Sequence, residues 1–286
     1  MKNSNWLMPH KVLPPFSKKD FNLIQRLVKS KVGILIRPRK QNILGVKLAS
    51  RLRQLGLTSY LAYYRYLLKP EGIKELRHLV NTVTIDTTEF FRGEQQFKFL
   101  REHILPELIQ QKNKKKRIRI WSSGCSTGQE PYSIAMLANE MAGIDMSWDI
   151  KILATDINTD SLKIACLGRY SKKQVKDIPS KYLKKYFRKE LVGEKEIFQI
   201  KEVLKKKIIF RRLNLLMSIN RIKGPVDMIF CRNVMIYFDN RTRKMISDQF
   251  YRLLEPKGYL CLGLSESLIG IDNRFKPVES AIYCKN

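Results

Sequence analysis

This 286-residue chain is short of histidine, of paired cysteine and, against its basic residues, of acid. Three histidines and five cysteines (Cys125, Cys166, Cys231, Cys261 and Cys284), with no CxxC pair, offer no metal-ligand cluster and no disulfide framework. The cysteines read as small buried hydrophobes in a reducing compartment. No run of eighteen or more apolar residues occurs, and Met1 to Pro15 lacks the continuous apolar core of a secretory signal. A cytoplasmic protein without direct membrane insertion is expected. Acidic residues number 26 against 55 basic ones, a formal charge of +29. Such a field attracts polyanions and speeds their encounter. Nucleic acid, anionic lipid and an acidic protein surface all fit it, and so does a lysine-rich composition spread over solvated faces. What the chain does have is apolar residues, 44% of the total, enough for a packed core in one large domain or two modest ones.

From Phe16 to about Val80 the apolar residues recur at three and four: Phe21, Ile24, Leu27 and Val28, then Ile43, Leu44, Leu48 and Leu52, then Tyr60, Tyr63, Tyr64 and Leu67. This spacing predicts a small all-helical unit with short joints. Pro38 marks a helix start, Gly56 a stop, and Thr58 with Ser59 the next cap. After Lys116 the pattern changes to short β-branched runs at Ile118 and Ile120, Ile150 to Leu153, Val226 to Ile229 and Tyr259 to Leu262, separated by helical stretches. Such alternation implies parallel β-α units, hence a doubly wound α/β sheet. Tyr170 to Arg212 interrupts it with a lysine-rich helical stretch and two short strands, Glu196 to Ile200 and Lys207 to Arg211, and reads as a small insert.

Four segments carry candidate chemistry. Ile118 to Glu130, IRIWSSGCSTGQE, sets Gly124 and Gly128 between a strand and a helix, for close approach of a ligand or simply for a tight packing turn. About thirty residues on, Asp156 ends the next strand, where a carboxylate can meet ribose hydroxyls or merely cap the helix near Thr159. FCRNVMIYF, Phe230 to Phe238, brings Arg232 and Asn233 to a strand end, followed by Tyr237. TIDTTEFFRGEQQF, Thr84 to Phe97, puts paired aromatics before Arg92, either as a site or as a domain-junction core with a surface arginine.

Together the stretches TTEFFR, WSSGCSTGQEPYSIA, ATDIN, NLL (Asn214 to Leu216) and FCRNVMIYF resemble the signatures of the CheR family of chemotaxis receptor methyltransferases, in the family's order and over essentially the whole chain. The resemblance implies a Rossmann-like class I methyltransferase domain over 84–286, with an inserted β-subdomain at about 170–212, preceded by a basic all-helical domain over 1–83. It implies S-adenosylmethionine as cofactor, S-adenosylhomocysteine as product, and glutamates on the cytoplasmic helices of methyl-accepting chemoreceptors as substrate. Carried over by motif, Asp86, Thr88 and Arg92 match positions at the amino-acid end of the cofactor. Gly124, Glu130 and Asp156 match the glycine-loop and ribose side, and Asn214, Leu215, Asn233 and Val234 the adenosine surroundings. Asp86 stands where the family usually has asparagine. Arg92 and Tyr237 match positions facing the substrate.

The chemistry asks for little. A glutamate side chain ionises at about pH 4.3, so it is already a nucleophile at neutral pH and no general base is needed. Arg92 is the expected holder of that carboxylate, because a guanidinium binds it through two N–H groups. The basic residues Arg37, Arg39, Lys40, Lys47, Arg51 and Arg53 are expected to present a face to an acidic substrate helix. A nucleic-acid methyltransferase is the alternative class. Its (Asp/Asn/Ser)-Pro-Pro-aromatic or Pro-Cys signature is missing where Cys231 to Val234 stand, so no nucleic-acid partner is expected. The chain is expected to be a monomer.

Overall fold

The computed structural model describes residues 13–84, 87–142 and 147–286. The chain divides into two compact units, with the boundary between Val83 and Thr84.

The first unit contains α1 (Lys18–Val32), α2 (Gln41–Gln54), α3 (Tyr60–Leu68) and α4 (Ile73–Val83). Ser17 and Asp20 form a reciprocal capping box at the start of α1, and Gly33, in the left-handed region at φ 80°, ends it. Pro38 opens a 3-10 turn that runs into α2, and Ser59 caps α3 by accepting from the Ala62 N–H at 3.1 Å. Phe21, Ile24, Val28, Leu48, Leu52, Tyr63 and Leu79 form the core. Ile43 falls in the same apolar pattern yet is 63% exposed. Adjacent helical residues point about 100° apart, and Leu44 takes the inward position.

An ion pair with one buried partner ties two helices of the unit together. Arg51 donates through Nε and Nη2 to Glu75, with Nη2 to Oε2 at 2.6 Å, while the Tyr63 hydroxyl donates to Oε1 at 2.9 Å. Glu75 is buried, and the Arg51 side chain that covers it is 28% exposed. Lys47 is also partly committed, its Nζ reaching the Thr82 carbonyl at 3.4 Å. Burial pulls the Glu75 carboxyl upward, but the hydrogen bonds from Arg51 and Tyr63 outweigh it and hold the pKa below the ordinary value. The pair's stabilisation is therefore present above the unfolded carboxylate pKa and is lost as pH falls through the lower folded one. Arg51→Ala leaves a buried, unpaired carboxylate and is expected to cost about 3 kcal/mol, read as a lower midpoint in urea unfolding of the first unit.

The second unit is built on β1 (Arg117–Ser123), β2 (Asp149–Asp156), β3 (Arg169–Ser171), β4 (Phe187–Val192), β5 (Lys195–Ile200), β6 (Ile208–Arg212), β7 (Val226–Cys231), β8 (Leu254–Leu262), β9 (Phe275–Glu279) and β10 (Ile282–Lys285). The main sheet runs β6-β2-β1-β7-β8-β10-β9, and β3-β5-β4 form a separate antiparallel sheet. Strands β6, β2, β1, β7 and β8 are mutually parallel, while β10 lies antiparallel to both its neighbours. Helices Gln129–Ala142, Thr159–Leu167 and Asn240–Leu253 link the parallel strands in a doubly wound, Rossmann-like arrangement. Strand order reverses between β1 and β7, and open sheets bind ligands beyond the carboxyl ends of the strands at such a point.

Two expectations for the insert change. The strand expected at Lys207 to Arg211 is β6, which pairs with β2 from Ile152↔Ile208 to Asp156↔Arg212 and so belongs to the main sheet. Within the stretch read as helical lies β4, paired with β5 along its length. No helix among the described residues is long and apolar enough to cross a membrane.

Candidate functional site

The loop after β1 is pinned to the end of β2. The Gly124 and Cys125 N–H groups both donate to the Thr155 carbonyl, at 2.7 and 2.9 Å. Asp156 accepts from the Ser126 N–H at 2.7 Å on one oxygen and from the Asn158 N–H at 2.8 Å on the other. Asp156 therefore clasps the glycine loop and is not the helix cap. Asn158 caps instead, its Oδ1 accepting from the Asp160 and Ser161 N–H groups at 2.9 and 3.1 Å. Gly124 has φ +80°, and a Cβ there would lie 2.3 Å from Cγ2 of Val234, so the loops after β1 and β7 meet at this residue. Gly128 is a packing glycine, since its Cβ would fall 2.9 Å from that of Ala165.

The paired aromatics of the Thr84 to Phe97 segment pack within the second unit. Phe90 packs edge-on to Tyr170 with ring centroids 4.9 Å apart, and Phe91 stacks on Tyr182 at 5.5 Å. These anchors hold Phe91 in the left-handed region at φ 53°, with its N–H donated to Ser133 Oγ at 3.0 Å. Arg92 follows, half-buried, its Nη1 donating to the Thr87 carbonyl at 3.0 Å.

Strand β7 is buried throughout and delivers Arg232, itself buried. Its Nε donates to Gln96 Oε1 at 2.9 Å, Nη1 to Glu130 Oε2 at 3.3 Å and Nη2 to the Arg92 carbonyl. The other Glu130 oxygen accepts from Ser122 Oγ at 2.7 Å. Burial pushes the Glu130 carboxyl up, against the pull of Arg232 and Ser122. Next comes Asn233 at φ 60°, held by buried Glu266, which accepts from the N–H groups of Asn233 (2.8 Å), Ile236 (3.2 Å) and Gly263 (2.6 Å). Burial raises the Glu266 carboxyl too, opposed by those backbone donors. Tyr237 is half-buried and closes the 3-10 turn Met235–Tyr237, its N–H donated to the Val234 carbonyl at 3.1 Å.

A cavity of about 50 Å³ is walled by Thr87, Thr88, Glu89, Arg92, Gly124, Ser126, Glu130, Arg232 and Asn233. It joins six of the residues singled out in the sequence: Thr88, Arg92, Gly124, Glu130, Arg232 and Asn233. Asp156 adjoins it through Ser126, and Val234 through Gly124. Asn214 and Leu215 stand just past β6, next to Asp156, whose carbonyl accepts from the Leu213 N–H at 2.9 Å. Tyr237 does not line the cavity, and Asp86 lies outside the described residues. Sequence reasoning missed Ser126, Gln96 and Glu266. Ser126 Oγ is buried without a hydrogen-bond partner, the kind of orphan a ligand satisfies. Its only sequence signal was its place between two glycines.

Comparison with known proteins bears on the same residues. Residues 86–284 match the profile described as CheR methyltransferase, SAM binding domain, and residues 19–84 the one described as CheR methyltransferase, all-alpha domain. The chain is 36% identical to the chemotaxis protein methyltransferase of Borreliella burgdorferi over 273 residues, covering 94% of this chain and 95% of that one. It is 34% identical to the chemotaxis protein methyltransferase of Escherichia coli, covering 93% and 91%. Identity to chemotaxis protein methyltransferase 2 of Pseudomonas aeruginosa is 32%, covering 94% and 93%.

Proposed function

We propose the following mechanism from the premise that this chain belongs to the CheR methyltransferase family. It is an S-adenosylmethionine-dependent protein-glutamate O-methyltransferase acting on chemoreceptors, with a class I fold and an all-helical N-terminal domain. The observation that carries the mechanism is the cavity at the β1/β7 switch point, where Arg92 shares walls with Gly124, Glu130 and Asn233.

The residues at the strand ends fit the cofactor. The orphaned Ser126 hydroxyl and the carboxylates of Glu130 and Asp156 offer polar partners around a loop whose backbone is exposed by glycine. Thr88, Arg92, Gly124, Glu130, Asp156, Asn214, Leu215, Asn233 and Val234 would hold it. When bound, S-adenosylmethionine supplies an activated methyl group and leaves as S-adenosylhomocysteine. The protein's part is alignment and exclusion of water. Arg92 holds the ionised substrate carboxylate in one plane through paired N–H groups, and Tyr237 donates a further hydrogen bond to it. No side chain removes a proton, because the substrate arrives without one at neutral pH.

The substrate is a cytoplasmic receptor helix rich in acid, and the enzyme meets it as a cytoplasmic monomer. Arg37, Arg39, Lys40, Lys47, Arg51 and Arg53 supply the attraction. At Lys40, burial first and then the neighbouring charges of Arg39, Arg37 and Lys47 hold the ammonium below its ordinary pKa. The second-order rate of receptor methylation is expected to fall several-fold as salt rises from low values to about 0.3 M, where the Debye length shrinks below the reach of surface charge. A flat response would remove the steering role.

The deciding experiment is transfer of labelled methyl from S-adenosylmethionine to the cytoplasmic fragment of a cognate chemoreceptor, followed by mild alkali. Release of label as methanol identifies a glutamate ester. Label on RNA or DNA instead would mean that the +29 charge marks a nucleic-acid substrate.

A further inference from the structure

Arg232 takes no part in the transfer as described above, yet its polar contacts join three separate parts of the site. Its guanidinium is buried and uses all three nitrogens on different acceptors: Gln96 Oε1, Glu130 Oε2 and the Arg92 carbonyl. The group also lies over the Phe97 ring, 5.5 Å from its centroid. Gln96 is fixed in turn, its Nε2 donating to the Leu262 carbonyl at 2.9 Å, so the chain of contacts is anchored at the end of β8. Gly93 shows how tightly the turn is held, because a Cβ there would come 2.5 Å from Arg232 Nη2.

Packing alone does not call for this residue. A buried ion pair gains little over apolar side chains of the same volume, whereas a planar fork fixes the relative positions of the groups it binds. One of those groups is the carbonyl of Arg92, and another is the carboxylate of Glu130 across the cavity. We propose that Arg232 is a positioning residue for methyl transfer, setting the Arg92 turn that holds the substrate carboxylate against Glu130 at the cofactor end. This rests on the roles given above to Arg92 and Glu130. A lysine at 232 reaches one acceptor and loses the geometry, and misplacement by about 1 Å costs about a hundredfold in rate.

The test is the kinetics of Arg232→Lys and Arg232→Ala with a receptor fragment, read beside S-adenosylhomocysteine binding and thermal unfolding. For Arg232→Lys, kcat is expected to fall at least about tenfold in folded protein. Activity of Arg232→Ala is expected to be partly restored by millimolar guanidinium and not by methylammonium. Should the alanine variant fail to fold, Gln96→Met, which removes the acceptor of Nε and keeps the volume, is expected to lower kcat in the same direction. Normal kcat in folded Arg232→Lys, or no difference between guanidinium and methylammonium, overturns the proposal. Arg92→Lys, run in parallel, separates the two levels. If Arg92→Lys turns over normally the role of Arg92 fails, whereas an impaired Arg92→Lys beside a normal Arg232→Lys overturns the positioning role alone.

Discussion

Arg92→Lys is expected to fold as the parent does and to lose about a hundredfold in kcat on receptor. The turn that carries Arg92 is set by groups other than its side chain. Phe90 and Phe91 are seated against Tyr170 and Tyr182, and the Arg92 carbonyl is held by Arg232. The side chain itself makes one hydrogen bond, to the Thr87 carbonyl, at a half-buried position. Lysine there keeps the charge and removes the fork, so its deficit measures geometry alone. Initial rates of labelled-methyl transfer, with unfolding midpoints measured in parallel, give the answer. A rate near that of the parent would take Arg92 out of the mechanism.

The second large effect is expected from Gly124→Ala, this time on the cofactor. At φ +80° a non-glycine residue costs about 1–2 kcal/mol, and the added methyl would stand 2.3 Å from Val234. The strain is relieved only by moving the β1 loop or the β7 loop, both of which border the cavity. Affinity for S-adenosylhomocysteine, measured by calorimetry, is expected to fall at least about tenfold, which corresponds to 1.4 kcal/mol. Affinity within about twofold of the parent would show that the loops relax at no cost to the ligand. Where affinity falls as expected, the paired substitution Val234→Ala should recover part of it, because it removes the atom that the new methyl meets.

How much of this could be read beforehand depended on how local each signal was. Strands β1, β2, β7 and β8 are buried runs that announce themselves by β-branched and apolar residues. The β4 sequence FRKELV gives no such notice, because one buried residue, Phe187, ties it to the core and the rest face outward. Strand β6 was legible as a strand, but its sheet was not, since pairing with β2 is decided by register and not by chain order. At the site, Thr88, Arg92, Gly124, Glu130 and Asn233 came from motifs and meet in one cavity. Gln96 and Glu266 did not come from them, because their meaning lies in partners far along the chain: Gln96 meets Arg232 136 residues later, and Glu266 gathers donors 33 and 30 residues earlier. The Arg51 ion pair was illegible for the same reason, since its carboxylate partner lies two helices further on.

Glu266 also offers a handle for experiments in living cells. A single carboxylate threads the N–H groups of Gly263, Asn233 and Ile236, so the turn after β7 and the end of β8 share one fastening. Glu266→Gln keeps the size but replaces one acceptor oxygen with a donor amide aimed at N–H groups, a mismatch that costs about 1–3 kcal/mol. Against a marginal total stability, a deficit of that size closes the gap between permissive and restrictive growth temperatures. The expected phenotype is a thermosensitive allele, with receptor methylated in the cool and unmethylated after a shift upward, so that adaptation can be switched off in one culture without changing the amount of any other component.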